Sequence, residues 1–203
     1  MIINRIYRRR KTIKLILASG SQYRKNLLQR LNLPFSCISP EIDESPLPKE
    51  LPEPLVLRLA EAKAEKVASL VSEALIIGSD QVATLAGKIL GKPGGYEQAN
   101  RQLTKMSGRC VSFYTGLCVF NSISGKKQSA CILNDVHIRQ LSAQEIDRYL
   151  ISEEPYQCAG SFKSEALGIT LIEQIDGPDP TALIGLPLIK LSEMLRNEKY
   201  NLP

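Results

Sequence analysis

The segment Ile76-Ile77-Gly78-Ser79-Asp80-Gln81 is the most informative part of this sequence. Its apolar start predicts a buried strand, and the strand ends on a carboxylate followed by an amide. A second apolar strand, residues 14–19, runs into Ser19-Gly20-Ser21 and the basic Arg24. Further along, Gly91-Lys92-Pro93 holds a lysine in a stiff turn. Together these groups suit a metal-assisted attack on a phosphate ester.

Strands and helices alternate along the chain. The pattern predicts helices over residues 21–31, 55–71, 96–106, 142–152 and 188–197. It predicts strands over residues 14–19, 35–39, 74–79 continued by 82–85, 110–120, 130–139 and 167–172. A polar loop, residues 121–127, joins two long strands as a hairpin-like pair. The predicted fold class is therefore α/β with a mixed sheet.

The basic excess of the chain comes from its N-terminus. The chain has 203 residues, is 43% hydrophobic and has a net charge of +5. Residues 1–11 contain five of the 26 basic residues and no acid, which leaves 21 bases against 21 acids. A balanced body does not indicate a nucleic-acid-binding surface. We interpret residues 1–13 as a disordered basic extension, or the result of an upstream start codon, and residues 14–203 as one domain.

Two features favour a cytoplasmic protein without a membrane partner. No apolar run approaches the ~20 residues of a membrane span, and the basic tip is not followed by a continuous apolar stretch. The cysteines number five, and no CxxC pair occurs. An odd, scattered set fits reduced thiols better than a disulfide framework.

The turn from the first strand into the first helix is a candidate anion site. Backbone N–H groups point outward there, and the helix dipole favours anions. Arg24 and Lys25 in the first turn oppose that dipole, which makes sense if phosphate is their partner. An ordinary Ser N-cap with solvated basic residues explains the same pattern equally well.

Several acids offer the hard oxygen ligands that Mg²⁺ or Mn²⁺ prefers, namely Glu41, Asp43, Glu44 and Asp80. Solubility is the plainer explanation for the loop acids, and we adopt it for Glu44. Asp80 differs, because a carboxylate that closes an apolar strand is poorly placed for solubility alone. Lys63 lies on an apolar-rich helix, so its ammonium either reaches solvent or points into a cleft.

Other chemistries are poorly supported by the sequence. The single histidine, His137, falls on the polar face of a strand pattern. No HExxH, Cys/His zinc set, GxSxG, Walker A or GxGxxG motif occurs.

The sequence from residue 14 onward resembles the Maf family of nucleoside triphosphate pyrophosphatases. The motifs that carry the resemblance agree in order: residues 17–28, Asp43-Glu44, residues 59–64, residues 78–82, Gly91-Lys92-Pro93 and Ser107-Gly108. Gln81 after the aspartate, together with residues 113–117, 158–165 and 182–189, is similar to the branch that acts on 7-methyl-GTP. In the dTTP/UTP branch, threonine usually follows the aspartate.

This resemblance implies a fold and an activity. The implied fold is an elongated, twisted mixed sheet in two lobes flanked by helices, with the active-site cleft between the lobes. The implied reaction is hydrolysis between the alpha and beta phosphates, which gives a monophosphate and diphosphate. A divalent cation, Mg²⁺ or Mn²⁺, a cytoplasmic location and a homodimer are also implied.

The resemblance also assigns roles to individual residues. Asp80 matches the catalytic acid, and we expect Asp80 and the loop acid Asp43 to be the metal ligands. The matched phosphate-binding positions are Ser19, Arg24, Lys63 and Lys92, and the matched substrate-specificity positions are Tyr23, Gln81 and Glu165. We add Ser21 to the phosphate-binding set because it lies in the turn that forms the candidate anion site. Gln22 stands where proline is usual, and Ala166 stands where glycine is usual. These departures concern the helix start and the base-binding loop rather than the chemistry.

The specificity positions also have a physical rationale. Methylation at N7 gives guanine a delocalised positive charge. A Tyr23 face and a Glu165 carboxylate would favour that base through cation–π and Coulomb attraction, and the Gln81 amide would pair with the base edge. The plainer readings are a surface tyrosine and a solvated glutamate.

Three alternative functions stay open. One is a dTTP/UTP pyrophosphatase of the same family. Another is a non-catalytic nucleotide-binding regulator of cell division or septum formation, against which Asp80, Lys63 and Lys92 argue. The last is an RNA-binding module that acts through residues 1–11, against which the neutral body argues.

Overall fold

A mixed seven-stranded sheet organises residues 13–202, the part of the chain described by the structure, which is a computed structural model. Its strands are β1 (Lys14–Leu17), β2 (Ser36–Cys37), β3 (Ala74–Leu85), β4 (Lys88–Leu90), β5 (Cys110–Asn121), β6 (Lys127–Ile138) and β7 (Ile172–Asp176). The spatial order is β2-β1-β3-β5-β6-β7, and β4 pairs with β3. Strand β1 is parallel to β2 and β3, whereas the other pairs are antiparallel. The predicted α/β fold with a mixed sheet is confirmed.

In the described part of the chain, five α-helices flank the sheet, and all five were predicted. They are α1 (Gln22–Gln29), α2 (Pro52–Ala68), α3 (Tyr96–Met106), α4 (Ala143–Glu153) and α5 (Leu188–Asn197). Helix α2 begins three residues earlier than predicted, because its prolines lie in the first turn, where a missing N–H costs nothing. Within residues 13–202, no helix is long and apolar enough to span a membrane.

Two local predictions differ from the structure. The strand predicted over residues 167–172 is wrong: Leu167–Leu171 is a 3₁₀ helix, and β7 begins only at Ile172. The alternating apolar pattern suggested a strand with one buried face, but Leu167 and Ile169 are exposed rather than packed on a sheet face. Strand β4 was not predicted. The predicted basic extension lies outside the described residues, apart from residue 13.

Alternate residues of β1 face opposite sides of the sheet and divide the core. Leu15 and Leu17 pack in a cluster with α1 and α5, whereas Ile16 packs in a cluster with α2. A third cluster, around Phe113 and Met106, fills the other end of the sheet with α3 and α4. We call the end of the sheet with α1, α2 and α5 and the end with α3 and α4 the two lobes. The continuous strands β3, β5 and β6, each of 12 residues, run through both lobes and join them.

In the middle of β3, one edge of the strand lies between two pairing partners and is paired with neither. Strand β1 pairs with β3 as far as Ile77, and β4 pairs with it again from Ala83. Residues 78–82 lie between these two partners. The informative sequence segment of the chain therefore runs along the gap between the lobes.

Two glycines let α2 lie directly on the strands. A Cβ atom added at Gly78 would lie 2.1 Å from the Ala60 carbonyl oxygen, and one added at Gly116 would lie 2.2 Å from the Val56 carbonyl oxygen. Real Cβ atoms do not approach backbone atoms this closely. Glycine at both positions thus sets the distance between α2 and the sheet.

We predict that Gly116→Ala lowers the free energy of unfolding by about 1–3 kcal/mol or more, because the added methyl group must push α2 away from β5. Urea denaturation measures this loss. Gly91→Ala is the matched control, since a Cβ there meets nothing within 4 Å. An equal effect of the two substitutions would contradict the close-approach explanation.

Candidate functional site

A polar cleft of about 500 Å³ opens at the gap along β3. Its walls come from the turn between β1 and α1, from the inner side of α2, from β3 and from the segment after β4. Among the lining residues are Ser19, Ser21, Tyr23, Arg24, Glu44, Lys63, Asp80, Gln81 and Lys92. The structure therefore brings together every predicted phosphate-binding residue and Asp80.

Lys63 points into this cleft and is buried, with a residue exposure of only 5%. Its Nζ atom lies 2.6 Å from Asp80 Oδ1 and 2.7 Å from Glu44 Oε1. The sequence left open whether this ammonium reaches solvent or points into a cleft, and in the structure it points into the cleft. Glu44 is exposed, as expected for a solvated loop acid, but its carboxylate is also the second partner of Lys63, which the solubility interpretation did not foresee.

The charge of Glu44 is stabilised by its surroundings. Burial raises the pKa of its carboxyl group, but the hydrogen bond and charge of Lys63 lower it, with help from Lys92 and Arg24. The net pKa lies below the ordinary value. Glu44 is therefore a carboxylate at neutral pH, and the stability that this ionised form contributes is lost as the pH falls through the lowered pKa.

Arg24 is fixed at the start of α1 with its charge towards the cleft. Its Nε atom donates to the Gly185 carbonyl at 2.8 Å. Among the described residues, its terminal nitrogens form no hydrogen bond, so they stay available to a ligand. Burial lowers the pKa of Arg24, while Asp80 and Glu44 raise it, and the net pKa lies below the ordinary value.

The two serines of the turn order the start of α1. Ser21 is the N-cap, and its hydroxyl accepts from the Arg24 N–H at 3.4 Å. Ser19 accepts from the Ser21 N–H at 3.1 Å. The N-cap reading is thus correct for Ser21. It does not exclude an anion, since the first helical turn still has N–H groups without intrahelical acceptors.

The charges in the cleft favour an anion. Arg24, Lys63 and Lys92 bring three positive charges against the two carboxylates of Asp80 and Glu44. Lys92 is exposed and has no ion-pair partner among the described residues, yet its charge is felt at Glu44. A multiply charged phosphate chain is the kind of ligand that balances this set.

A smaller pocket of about 140 Å³ continues from the cleft and contains the three predicted specificity residues, Tyr23, Gln81 and Glu165. Burial, followed by the neighbouring Cys158, raises the pKa of the Tyr23 phenol, so this ring is neutral. Glu165 is exposed at the pocket wall. An aromatic ring, an amide and a carboxylate therefore meet beside the phosphate-binding cleft.

Lys163 is a residue of this pocket region that sequence reasoning gave no role. Its Nζ atom lies over the Tyr23 ring, 5.8 Å from the centroid. Glu153 pairs with the same ammonium, and this hydrogen bond raises the pKa of Lys163. One face of Tyr23 is thus covered by a paired cation. No local pattern marks Lys163, because the contact joins distant parts of the chain.

The amide of Gln81 is held in one orientation. Its Nε2 atom donates to the Ala182 carbonyl at 2.7 Å, to the Leu183 carbonyl at 3.1 Å and to Thr115 Oγ1 at 3.1 Å. Carbonyl oxygens only accept, so the nitrogen must face them. The remaining atom, Oε1, has no hydrogen-bond donor among the described residues and is left to act as an acceptor.

Asp43 does not join the group, although we expected it to bind a metal together with Asp80. It is exposed, and its Oδ1 atom accepts from the Ser45 N–H at 2.9 Å. A hydrogen bond with the Ser45 side chain, followed by this backbone hydrogen bond, lowers the pKa of Asp43. The next residue, Glu44, is also exposed, but its carboxylate pairs with Lys63 in the cleft.

Comparison with known proteins relates the chain to one family. A family model described as Maf-like protein matches residues 14–198. A 7-methyl-GTP pyrophosphatase from Nitrosococcus oceani is 55% identical over 186 residues, which are 92% of this chain and 94% of the relative. A protein of the same name from Ralstonia nicotianae is 54% identical over 188 residues, 93% of this chain and 97% of the relative.

We predict that Lys63→Met raises the pKa of Glu44, because it removes the largest lowering influence and leaves the effect of burial in place. A carbon-detected NMR titration of the Glu44 carboxyl group measures the change. Lys92→Met is the matched control and should raise the pKa less, since Lys92 acts on Glu44 through charge alone. An unchanged Glu44 pKa in the Lys63 variant would contradict the pairing.

Proposed function

Because this chain belongs to the Maf-like family, we propose that it is a nucleoside triphosphate pyrophosphatase that hydrolyses 7-methyl-GTP to 7-methyl-GMP and diphosphate. The observation that carries the proposal is the position of Asp80. Its carboxylate lies in a cation-lined cleft, directly beside a pocket for a base. Removal of a modified nucleotide from the cellular pool is the corresponding role.

The cleft residues divide the work of the reaction. Arg24, Lys63 and Lys92 bind the phosphate chain and stabilise the charge that develops as water attacks the alpha phosphorus. Asp80 Oδ1 is bound to Lys63, whereas its Oδ2 atom accepts no hydrogen bond from the described residues. Oδ2 is therefore free to orient the attacking water and to take its proton.

A divalent cation, Mg²⁺ or Mn²⁺, forms part of the proposal, with Asp80 and Glu44 as its protein ligands. Lys63 occupies one oxygen of each carboxylate, Asp80 Oδ1 and Glu44 Oε1, so the second oxygen of each would hold the ion, and carboxylate oxygens suit these ions. Within residues 13–202, no group of three or more His, Cys, Asp or Glu side chains could hold a metal. Water and substrate phosphates would supply the remaining ligands, as is usual for Mg²⁺, and the bound ion would neutralise phosphate charge.

Recognition of the base rests on two acceptors. Gln81 presents Oε1 because its nitrogen is already bound, and Glu165 presents a carboxylate. Guanine offers adjacent N1–H and N2–H₂ donors on one edge, whereas uracil and thymine offer a single N–H between two carbonyls. Two acceptors therefore match guanine and repel the pyrimidine carbonyls. This argument favours the 7-methyl-GTP reading over the dTTP/UTP alternative.

The positive charge of the methylated base adds selectivity over unmodified guanine. Glu165 attracts that charge through Coulomb interaction, and the Tyr23 face not covered by Lys163 is available for stacking. Glu153 neutralises Lys163, which limits repulsion of the cationic base. The cytoplasmic location, the homodimer and the absence of a nucleic-acid or membrane partner rest on sequence and family resemblance, and we propose them on that basis.

We predict release of diphosphate rather than orthophosphate from 7-methyl-GTP in the presence of Mg²⁺ or Mn²⁺. Asp80→Asn keeps the shape of the side chain but removes its charge, and should lower turnover roughly a hundredfold or more. A coupled diphosphate assay across a panel of nucleotides measures both effects. Asp43→Asn is the matched control and should keep near-normal turnover, because Asp43 lies outside the cleft.

Two results would overturn this reaction. Orthophosphate as the first product would exclude attack at the alpha phosphorus. Near-normal turnover of Asp80→Asn with its metal requirement intact would exclude the role of Asp80. A preference of the wild type for dTTP or UTP would leave the reaction in place and move the protein to the other branch.

We also predict that Glu165→Gln lowers kcat/KM for 7-methyl-GTP about tenfold and leaves GTP less affected, because only the methylated base carries the charge that Glu165 attracts. Steady-state kinetics with both nucleotides measure the two losses. Glu173→Gln, which makes the same change at an exposed site on β7, is the control. Equal losses for both nucleotides would show that Glu165 does not read the charge.

A further inference from the structure

One short segment accepts hydrogen bonds from a proposed phosphate-binding side chain, Arg24, and from a proposed base-binding side chain, Gln81. We call this segment, the 3₁₀ helix Pro180–Ile184 and the following Gly185, the strap. The strap carbonyls of residues 182 and 183 accept from Gln81, and that of Gly185 accepts from Arg24. Ser79 Oγ lies 2.9 Å from the same Gly185 oxygen. The position of the strap therefore sets the positions of Gln81 and Arg24.

Asp179, the residue before the strap, is a buried carboxylate with an exposure of 2%. Its Oδ1 atom accepts from the Thr181 N–H at 2.9 Å and from the Thr181 hydroxyl at 2.6 Å. Its Oδ2 atom accepts from the Ile189 N–H at 2.8 Å. One carboxylate thus joins the first turn of the strap to the first turn of α5, where the helix dipoles favour a negative charge.

This connection replaces a local cap of α5. Pro187 is the N-cap residue of α5, and no side chain caps the helix there. The Leu188 N–H donates instead to Thr181 Oγ1 at 2.8 Å. The backbone of Asp179 is in turn bound to the sheet, because Asn134 Nδ2 on β6 donates to its carbonyl at 2.9 Å. Sheet, strap and α5 are held together at one point.

We propose that Asp179 is a positioning residue for base recognition. By fixing the strap, it keeps the Gln81 nitrogen bound to the strap carbonyls and leaves Oε1 to face the base. The inference rests on the proposed function, since it concerns how that function obtains its selectivity. Asp179 lines neither the cleft nor the smaller pocket, so it acts only through Gln81 and Arg24.

Asp179→Asn tests this role with the smallest change of shape. Asparagine has one oxygen where the carboxylate has two, so its NH₂ group must face either Thr181 or the Ile189 N–H, donor against donor. The strap then separates from α5, and the Gln81 amide is free to turn its NH₂ group to the base. We expect the ratio of kcat/KM for 7-methyl-GTP to that for UTP to fall about tenfold or more.

The kinetic constants separate this role from a loss of fold. We expect KM for 7-methyl-GTP to rise about tenfold and kcat to fall less than KM rises, because Asp80 and Lys63 keep their geometry on β3 and α2, and Arg24 stays on α1 although its contact with Gly185 is loosened. Asp176→Asn makes the same charge change at an exposed site on β7, whose carboxylate pairs with His137. This control should keep wild-type selectivity.

A second pair of variants decides the question if Asp179→Asn does not fold. Thr181→Val removes the hydroxyl that bridges Asp179 and Leu188, and should lower the same selectivity ratio. Thr181→Ser restores the hydroxyl and should restore the ratio. A Val variant as selective as the Ser variant would overturn the assignment.

The outcomes also distinguish the assignment from the function it rests on. A wild-type protein without preference for 7-methyl-GTP would overturn the proposed function and this assignment together. A selective wild type matched in selectivity by a folded Asp179→Asn variant would overturn only the assignment. A fall in the kcat of Asp179→Asn with unchanged KM and selectivity would also overturn only the assignment.

Discussion

The buried ammonium of Lys63 is the interaction on which the site depends. A charge taken out of water must be paired, and this one is paired twice, with Asp80 from β3 and Glu44 from the loop before α2. Helix, strand and loop are thereby held at one point. The pairing is possible only because Gly78 and Gly116 let α2 lie directly on the strands. The close packing of α2 on the sheet is therefore a requirement for the chemistry of the site.

The gap in the pairing of β3 explains how neighbouring residues serve different parts of a ligand. Side chains alternate across a strand, so Asp80 faces α2 while Ser79 and Gln81 face the strap. At a fully paired strand these side chains would lie on opposite faces of a closed sheet. At the open edge between β1 and β4 both faces meet the same solvent space. A phosphate site and a base site can therefore adjoin.

Sequence reasoning succeeded where the deciding interactions are local. Helical periodicity and the hairpin pattern depend on neighbours in the chain, and they predicted all five helices and the long strands. The capping box between Ser142 and Glu145, which begins α4, is equally local. Sequence reasoning failed where distant groups decide. Glu44 and Asp43 are adjacent acids in a loop, and only the location of Lys63 selects Glu44. Lys163 over Tyr23, and the strap carbonyls around Gln81, likewise have no local signature.

The continuous strands that join the two lobes also restrict how the molecule can move. A hinge between lobes needs a few residues that absorb rotation, and here β3, β5 and β6 cross the boundary side by side, bound to one another by ladder hydrogen bonds. Bending all of them together would break many bonds at once. The cleft between the lobes is accordingly preorganised and has a nearly fixed width. Adjustment to a bound nucleotide therefore falls to side chains at the cleft rather than to a rotation of one lobe against the other.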